Sequence, residues 1–238
     1  MTVFSTRQLA QRHSLADLVT EIKSAGQDIE RVQNFKILGV KLNEHLDWTV
    51  HVNQTLKCCF AKLRNLKQFQ NITTWHQRKM LVESLVLSKL MYGSVLLSDA
   101  AKYQLKRLQK VQNAAAGFVL KRHASIKDVI KLKWLPVTEM IDFTMAKTVH
   151  SALHNPDWPS YLRLSKVTNP DRELRSENII LHDVENRNRV AGTFEHEGAT
   201  CFNDLPINIK HIESKDSFAN LAWKFYFDRA LAKSLSSI

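Results

Sequence analysis

"FKILGVKLNEHLDWTVHV", residues 35–52, reads as a strand, a turn and the start of a helix. Phe35, Ile37, Leu38, Val40 and Leu42 surround Gly39; polar residues follow, then Trp48 and His51. Upstream of this stretch the chain reads as β. Segments 2–4, 18–24, 28–33 and 35–42 are short and rich in branched or aromatic residues. In the second and third, apolar and polar residues alternate, as on a half-buried strand. Ala25-Gly26-Gln27 suits a hairpin turn, and residues 7–17 are polar enough for a loop.

Downstream the pattern changes to helix. Glycine (6) and proline (5) are scarce in the 238 residues, which favours helices over flexible linkers. In 49–69, Val52, Leu56, Cys59, Phe60, Leu63 and Leu66 recur at steps of three and four and make one apolar stripe. Asn53, Lys57 and Arg64 fall on a flank outside it. Thr73 or Thr74 suits the cap of a second helix over 75–97. A third spans 100–120, with Leu105, Leu108, Val111, Ala115 and Val119 inward, and Ala114-Ala115-Ala116-Gly117 open to close approach by a neighbouring helix. Helices are predicted at 125–132 and at 136–153, with Pro136 at the start of the latter. Residues 155–192 hold Pro156, Pro159 and Pro170 and no sustained period, and read as loop-rich. Residues 194–203 are ambiguous, 205–209 read as a turn, and a last helix covers 214–233, capped by Ser214 or Ser217.

The positive charge is unevenly spread. Residues 1–70 carry 10 Lys/Arg against 6 Asp/Glu, 71–135 carry 12 against 3, and 136–238 carry 12 against 14. A basic segment joined to a near-neutral one suggests a polyanion partner for the former. Lys102, Lys106 and Lys110, four apart on a predicted helix, make a row beside Arg107 that Lys121 and Arg122 continue. Lys57, Lys62 and Arg64 make a second group. Several cations on rigid helices are what a phosphate backbone requires; a solvated lysine-rich face is the alternative.

Catalytic patterns are absent from the sequence. There is no Asp-Asp dipeptide for a two-metal site, no GxxxxGK[ST], no GxGxxG and no HExxH. Asp28 and Glu30 alternate beside a turn and suit a soluble strand edge. His150 and His154 have ligand spacing, and His196 or Cys201 would have to join them; two ordinary histidines are the plainer expectation. Cys58-Cys59 suits packing, and Ser94, Ser98 and Ser176 lack an evident His–Asp pair. Three cysteines without a CxxC pair fit a reducing compartment. No apolar run reaches signal or membrane length, so the expected location is nucleus or cytoplasm, not secreted.

Residues 35–52 closely resemble the segment after the catalytic palm in reverse transcriptases of jockey-like non-LTR retrotransposons. The matching positions are Phe35, Lys36, Leu38, Gly39, Val40, Leu42, Leu46, Trp48 and His51. "LVLSKLMYGSVLL" (85–97) resembles that family's thumb helix ending in Tyr-Gly, and "LKRLQKVQNAAAGFVL" (105–120) its Leu-x-x-Val-Gln-Asn-x-Ala helix. "PSYL" (159–162), Arg175-Ser176 and residues 198–227 resemble the region beyond the thumb, and "MTVFSTRQ" is similar to a strand shortly after the catalytic hairpin. The family's fingers, most of its palm and its Asp-Asp motif lie upstream of the part resembled, so no catalytic residue is carried over.

The expected fold is therefore α+β, mainly α. Residues 1–48 would be a remnant of antiparallel palm strands and connector, 49–122 a thumb-like helical bundle, and 123–238 a post-thumb region. The expected function is that of a reverse transcriptase fragment whose thumb-like helices contact an RNA–DNA hybrid backbone, inactive by itself as a polymerase. Asn53, Lys57, Lys62, Arg64, Lys102, Lys106, Arg107, Lys110, Lys121 and Arg122 are the candidate contacts. No cofactor, metal ligand, membrane or small-molecule substrate is expected, although the parent polymerase would use Mg2+, and the missing palm and fingers are a possible partner. The alternatives are a non-enzymatic, element-derived protein that binds nucleic acid or protein, or a truncated product without function. An in-frame Asp-Asp motif in the upstream DNA would separate them.

Overall fold

The computed structural model describes residues 12, 23–24, 27–28, 32–162, 164 and 193–236. The expected strand at 2–4, most of the loop at 7–17, most of 18–24, half of 28–33, and most of the loop-rich 155–192 lie outside these residues, as do Glu30, Arg175 and Ser176. The protein is mainly helical, with small antiparallel sheets. Strand β1 (Lys23–Ser24) pairs with β2 (Gln27–Asp28), Ser24 opposite Gln27, about the expected hairpin position.

Segment 35–42 departs from its single-strand reading. It is a hairpin, β3 (Asn34–Ile37) paired with β4 (Val40–Asn43), folded at Leu38-Gly39. Both turn residues have positive φ, 46° and 85°, as a type I′ turn demands. The tip is wedged against Tyr92, whose hydroxyl donates to the Leu38 carbonyl at 2.7 Å. A Cβ on Gly39 would stand 3.2 Å from the Tyr92 ring, so this glycine answers both backbone and space.

The rest of the opening stretch is spent on docking that hairpin. Asp47 accepts the Thr49 amide at 2.9 Å and starts helix α1 (Thr49–Lys67). Trp48 Nε1 donates to Asp99 at 2.6 Å. His51 Nδ1 accepts the Lys41 amide at 3.3 Å, and the His51 ring meets Trp48 edge-on.

The predicted second helix is broken. Helix α2 (Trp75–Val82) passes through a π-helical turn (Glu83–Leu87) into α3 (Ser88–Leu90), then a positive-φ Gly93 and a 3-10 turn (Ser94–Leu97). Thr74 caps α2 in a capping box with Gln77. The π turn redirects carbonyls toward α1: Lys62 Nζ donates to Leu85 O at 2.7 Å, and Cys59 Sγ lies 3.8 Å from Val86 O. A 3.6-residue pattern carries no sign of one inserted residue.

Helices α4 (Lys102–Leu120), α5 (Ile126–Lys131) and α6 (Val137–His154) follow close to their predicted spans. The ambiguous 194–203 is helix α7 (Phe194–Asn203), and the expected turn at 205–209 contains a short helix α8 (Ile207–Lys210). The last helix is α9 (Lys215–Leu235), with Ser214 at its N-cap position.

Two apolar clusters form the core. One gathers α1, α2, α4 and α5 around Val52, Cys59, Val82, Val111 and Val119; the other gathers α6, α7 and α9 around Val149, Phe202 and Tyr226. They meet near residues 132–141. There Gln112 Nε2 donates to Leu135 O at 2.8 Å, and Gln109 Oε1 accepts the Val137 amide at 2.9 Å. Ion pairs Glu139–Lys233 and Asp142–Arg229 tie α6 to α9.

Two histidines in these interfaces are expected to make the fold acid-sensitive. His51 and His150 are buried, and burial pushes both imidazoles below their ordinary value of 6.5, with Lys89 adding to the effect on His51. A His150 Nε2 proton bonds the Ile212 carbonyl (2.7 Å), which opposes the shift, while His154 and Lys215 reinforce it. A depressed histidine pKa favours the neutral folded form. This stabilisation is complete above the unfolded value and is lost as pH falls below 6.5 toward the folded value. The urea midpoint is expected to hold between pH 7 and 8 and to fall below pH 6.5, with a limiting slope of about 1.4 kcal/mol per pH unit per histidine. His51→Gln should flatten that fall; an unchanged slope would remove His51 from the account.

Candidate nucleic-acid interface

Helices α1 and α4 carry no carboxylate. Neither Asp nor Glu occurs from residue 48 to 82 or from 100 to 127. The two helices run parallel, since partners follow in the same order along both. Gln104 Nε2 donates to Thr49 Oγ1 (3.1 Å), Arg107 Nη2 to Asn53 Oδ1 (2.7 Å), and Gln70 Nε2, just past α1, to Phe118 O (2.8 Å). With no negative charge on either helix, the lysines and arginines between them go largely unneutralised.

The C-terminal halves of α1 and α4 enclose an open groove of about 900 Å³. Arg64 and Lys67 stand on the α1 rim with Phe60; Lys110 and Asn113 stand on the α4 rim. Leu63, Ala114, Gly117 and Phe118 line the groove between them, Leu63 and Phe118 being buried. Lys121, Arg122 and His123 close the end.

That end has a definite geometry. Lys121 adopts a left-handed conformation (φ 55°) past the last turn of α4, and its amide bonds the Gly117 carbonyl. The Arg122 amide reaches the same oxygen at 3.3 Å. A Cβ on Gly117 would come within 2.9 Å of the Arg122 carbonyl. Gly117 thus admits the returning loop, while Ala115 and Ala116, the small residues expected to let a neighbouring helix approach, are fully buried in the core that α4 shares with α1 and α2.

The Arg122 guanidinium forks onto Asp128, at 2.5 and 3.3 Å. That pair, followed by the Ser125 amide, holds the Asp128 carboxyl well below the usual carboxylate range. Arg122 is more than half exposed but already has this partner.

Behind the groove lies Arg78, 7% exposed. Its Nε donates to Val119 O at 2.9 Å; its Nη1 donates to Thr73 O at 2.5 Å and to Gln70 O at 3.4 Å. It binds the carbonyl end of α4 to the α1–α2 turn, where a cation also suits the helix dipole.

The sequence-derived candidates divide accordingly. Arg64, Lys110, Lys121 and Arg122 meet at the groove. Lys57 and Lys106 are exposed and lie about two turns and one turn before Arg64 and Lys110 on the same faces. Lys102 is exposed in the first turn of α4. Asn53 and Arg107 bond one another across the helices. Lys62 lies about 200° around α1 from Arg64 and is engaged by the π turn.

Lys67 and His123 were not among the candidates. Lys67 is three residues past Arg64, a spacing that places it on the same face. Phe60, assigned to the core stripe, is instead 44% exposed at the groove's edge. Its positions four before Arg64 and seven after Asn53 carried that information.

Among the described residues, no group of three or more His, Cys, Asp and Glu is placed to hold a metal. His150 stacks on Phe218 at 4.1 Å. Burial pushes the Cys59 thiol up to about 11 and the Cys201 thiol up to about 12, leaving both weak nucleophiles. Among the described residues, no helix is long and apolar enough to cross a membrane. Comparison with protein-family models, with curated proteins and with solved structures returns no match to the chain.

Proposed function

We propose that this chain is a thumb-containing C-terminal part of a non-LTR retrotransposon reverse transcriptase, and that its α1–α4 groove grips the phosphate backbone of an RNA template–DNA primer hybrid. The observation that carries the binding reading is the convergence of Arg64, Lys67, Lys110 and Lys121 on one groove between two helices without a carboxylate. Such a surface positions a backbone and does not read bases. The family's Mg2+ finds no ligand set among the described residues, and this chain is assigned no step of nucleotidyl transfer.

Fluorescence anisotropy against a labelled RNA–DNA hybrid, across a salt series, tests the binding reading. Affinity should fall linearly on a log–log plot with a slope set by the phosphates neutralised. Lys62→Ala should leave that slope unchanged, because its ammonium is engaged by Leu85 O. Binding no tighter than that of an unrelated basic protein would overturn the reading.

A further inference from the structure

We infer that the solvent face of helix α9 is a pairing surface for a second copy of this chain, joined antiparallel about a two-fold axis. Helix α9 turns Phe218, Ala222, Tyr226 and Ala230 into the core. Its opposite side carries Leu221, Lys224, Asp228, Leu231 and Leu235, at alternating steps of three and four. That is the spacing of a helix-pairing seam, here about 21 Å long. The three leucines are 42%, 42% and 63% exposed in chain order, and half-buried Phe225 and Phe227 flank them. A leucine exposed singly needs no explanation, whereas three on one seam form a patch of the kind that a partner covers.

The two charges in the seam name the partner. Among the described residues, neither Lys224 nor Asp228 forms an ion pair. With the two-fold axis at the level of Tyr226, Lys224 of each copy faces Asp228 of the other, and Leu221 faces Leu231. One register therefore serves the charged and the apolar pairs together. Sliding the helices to set Leu221 against Leu235 would bring Asp228 against its own copy. An in-register parallel pair would set every charge against its like, which is unfavourable. Charge thus selects one direction and one register, and a face complementary to its own reverse is what a closed dimer requires. None of these residues lines the α1–α4 groove, so the inference is independent of the nucleic-acid reading.

Sedimentation velocity of the full chain, from about 1 to 100 μM, tests this and should show a monomer–dimer equilibrium. Leu231→Gln should weaken that equilibrium about tenfold or more. Lys224→Asp gives the seam two acids, and Asp228→Lys gives it two bases. Each should weaken self-association by about tenfold or more. Mixed in equal amounts, the two charge variants should pair about tenfold or more tighter than either does alone, because every acid then faces a base. All three substitutions are at exposed positions, and unchanged urea midpoints check the fold. A native chain that stays monomeric at about 100 μM overturns the inference. So does a dimer that Leu231→Gln leaves intact, which would place the contact elsewhere. A mixture that gains nothing over its separate components overturns the antiparallel register.

Discussion

Replacing Arg64, Lys67, Lys110 and Lys121 together by alanine is expected to remove about four units from the magnitude of the salt slope of hybrid binding. Each of these cations stands at the groove, and none has a carboxylate within its own helix. At roughly 0.9 counterions released per phosphate neutralised, the native chain should lose about a hundredfold more affinity than the variant between 50 and 200 mM salt. The four sites are exposed, so the fold should survive, and an unchanged denaturation midpoint checks this. Lys62→Ala together with Lys131→Ala, also on helices but away from the groove, provides the control. Equal slopes for the native and fourfold variants would make the charge a solvated face.

Arg78→Met is expected to be the most damaging single change to the fold, lowering stability by roughly 3–4 kcal/mol. Methionine fills similar volume but leaves the carbonyls of Val119, Thr73 and Gln70 without their charged donor. Hydrogen bonds to a charged donor contribute about 1.5–3 kcal/mol each, and buried acceptors left unmade are costly. For a chain of this size the thermal midpoint should drop by about 10 °C. Arg78→Lys should fall between, because a point ammonium cannot reproduce the fork. Urea denaturation followed by circular dichroism measures both. A loss below about 1 kcal/mol for the methionine variant would show that the end of α4 is held by packing alone. Because Arg78 also fixes the turn beside Gln70, hybrid binding should weaken with it.

The sequence was most informative where one rule governs. Helices α1, α4 and α9 were legible from apolar recurrence, since a buried stripe needs no knowledge of its partner; these three and the expected α5 and α6 sit within a few residues of their spans. That a threonine at 73 or 74 caps the second helix was legible from side-chain chemistry alone, and the structure selects Thr74. The hairpin at Leu38-Gly39 was misread because a leucine at positive φ contradicts local preference; the Tyr92 hydroxyl, 54 residues away, supplies the compensating contact. The π turn escaped for the same reason, since its freed carbonyls are answered from α1.

By itself, then, the sequence determined the helical class, the basic character of residues 49–122 and the stripes on which most cations lie. Only the tertiary structure decided which of those cations act together. Parallel packing of α1 and α4 brings Arg64 and Lys67 opposite Lys110, whereas Lys62, two residues before Arg64, is turned away and taken up by a carbonyl. It also exposed Phe60 and engaged Arg122 with Asp128. Periodicity fixes a residue's face on its own helix, and whether that face meets solvent, a carbonyl or another cation depends on helices distant in sequence.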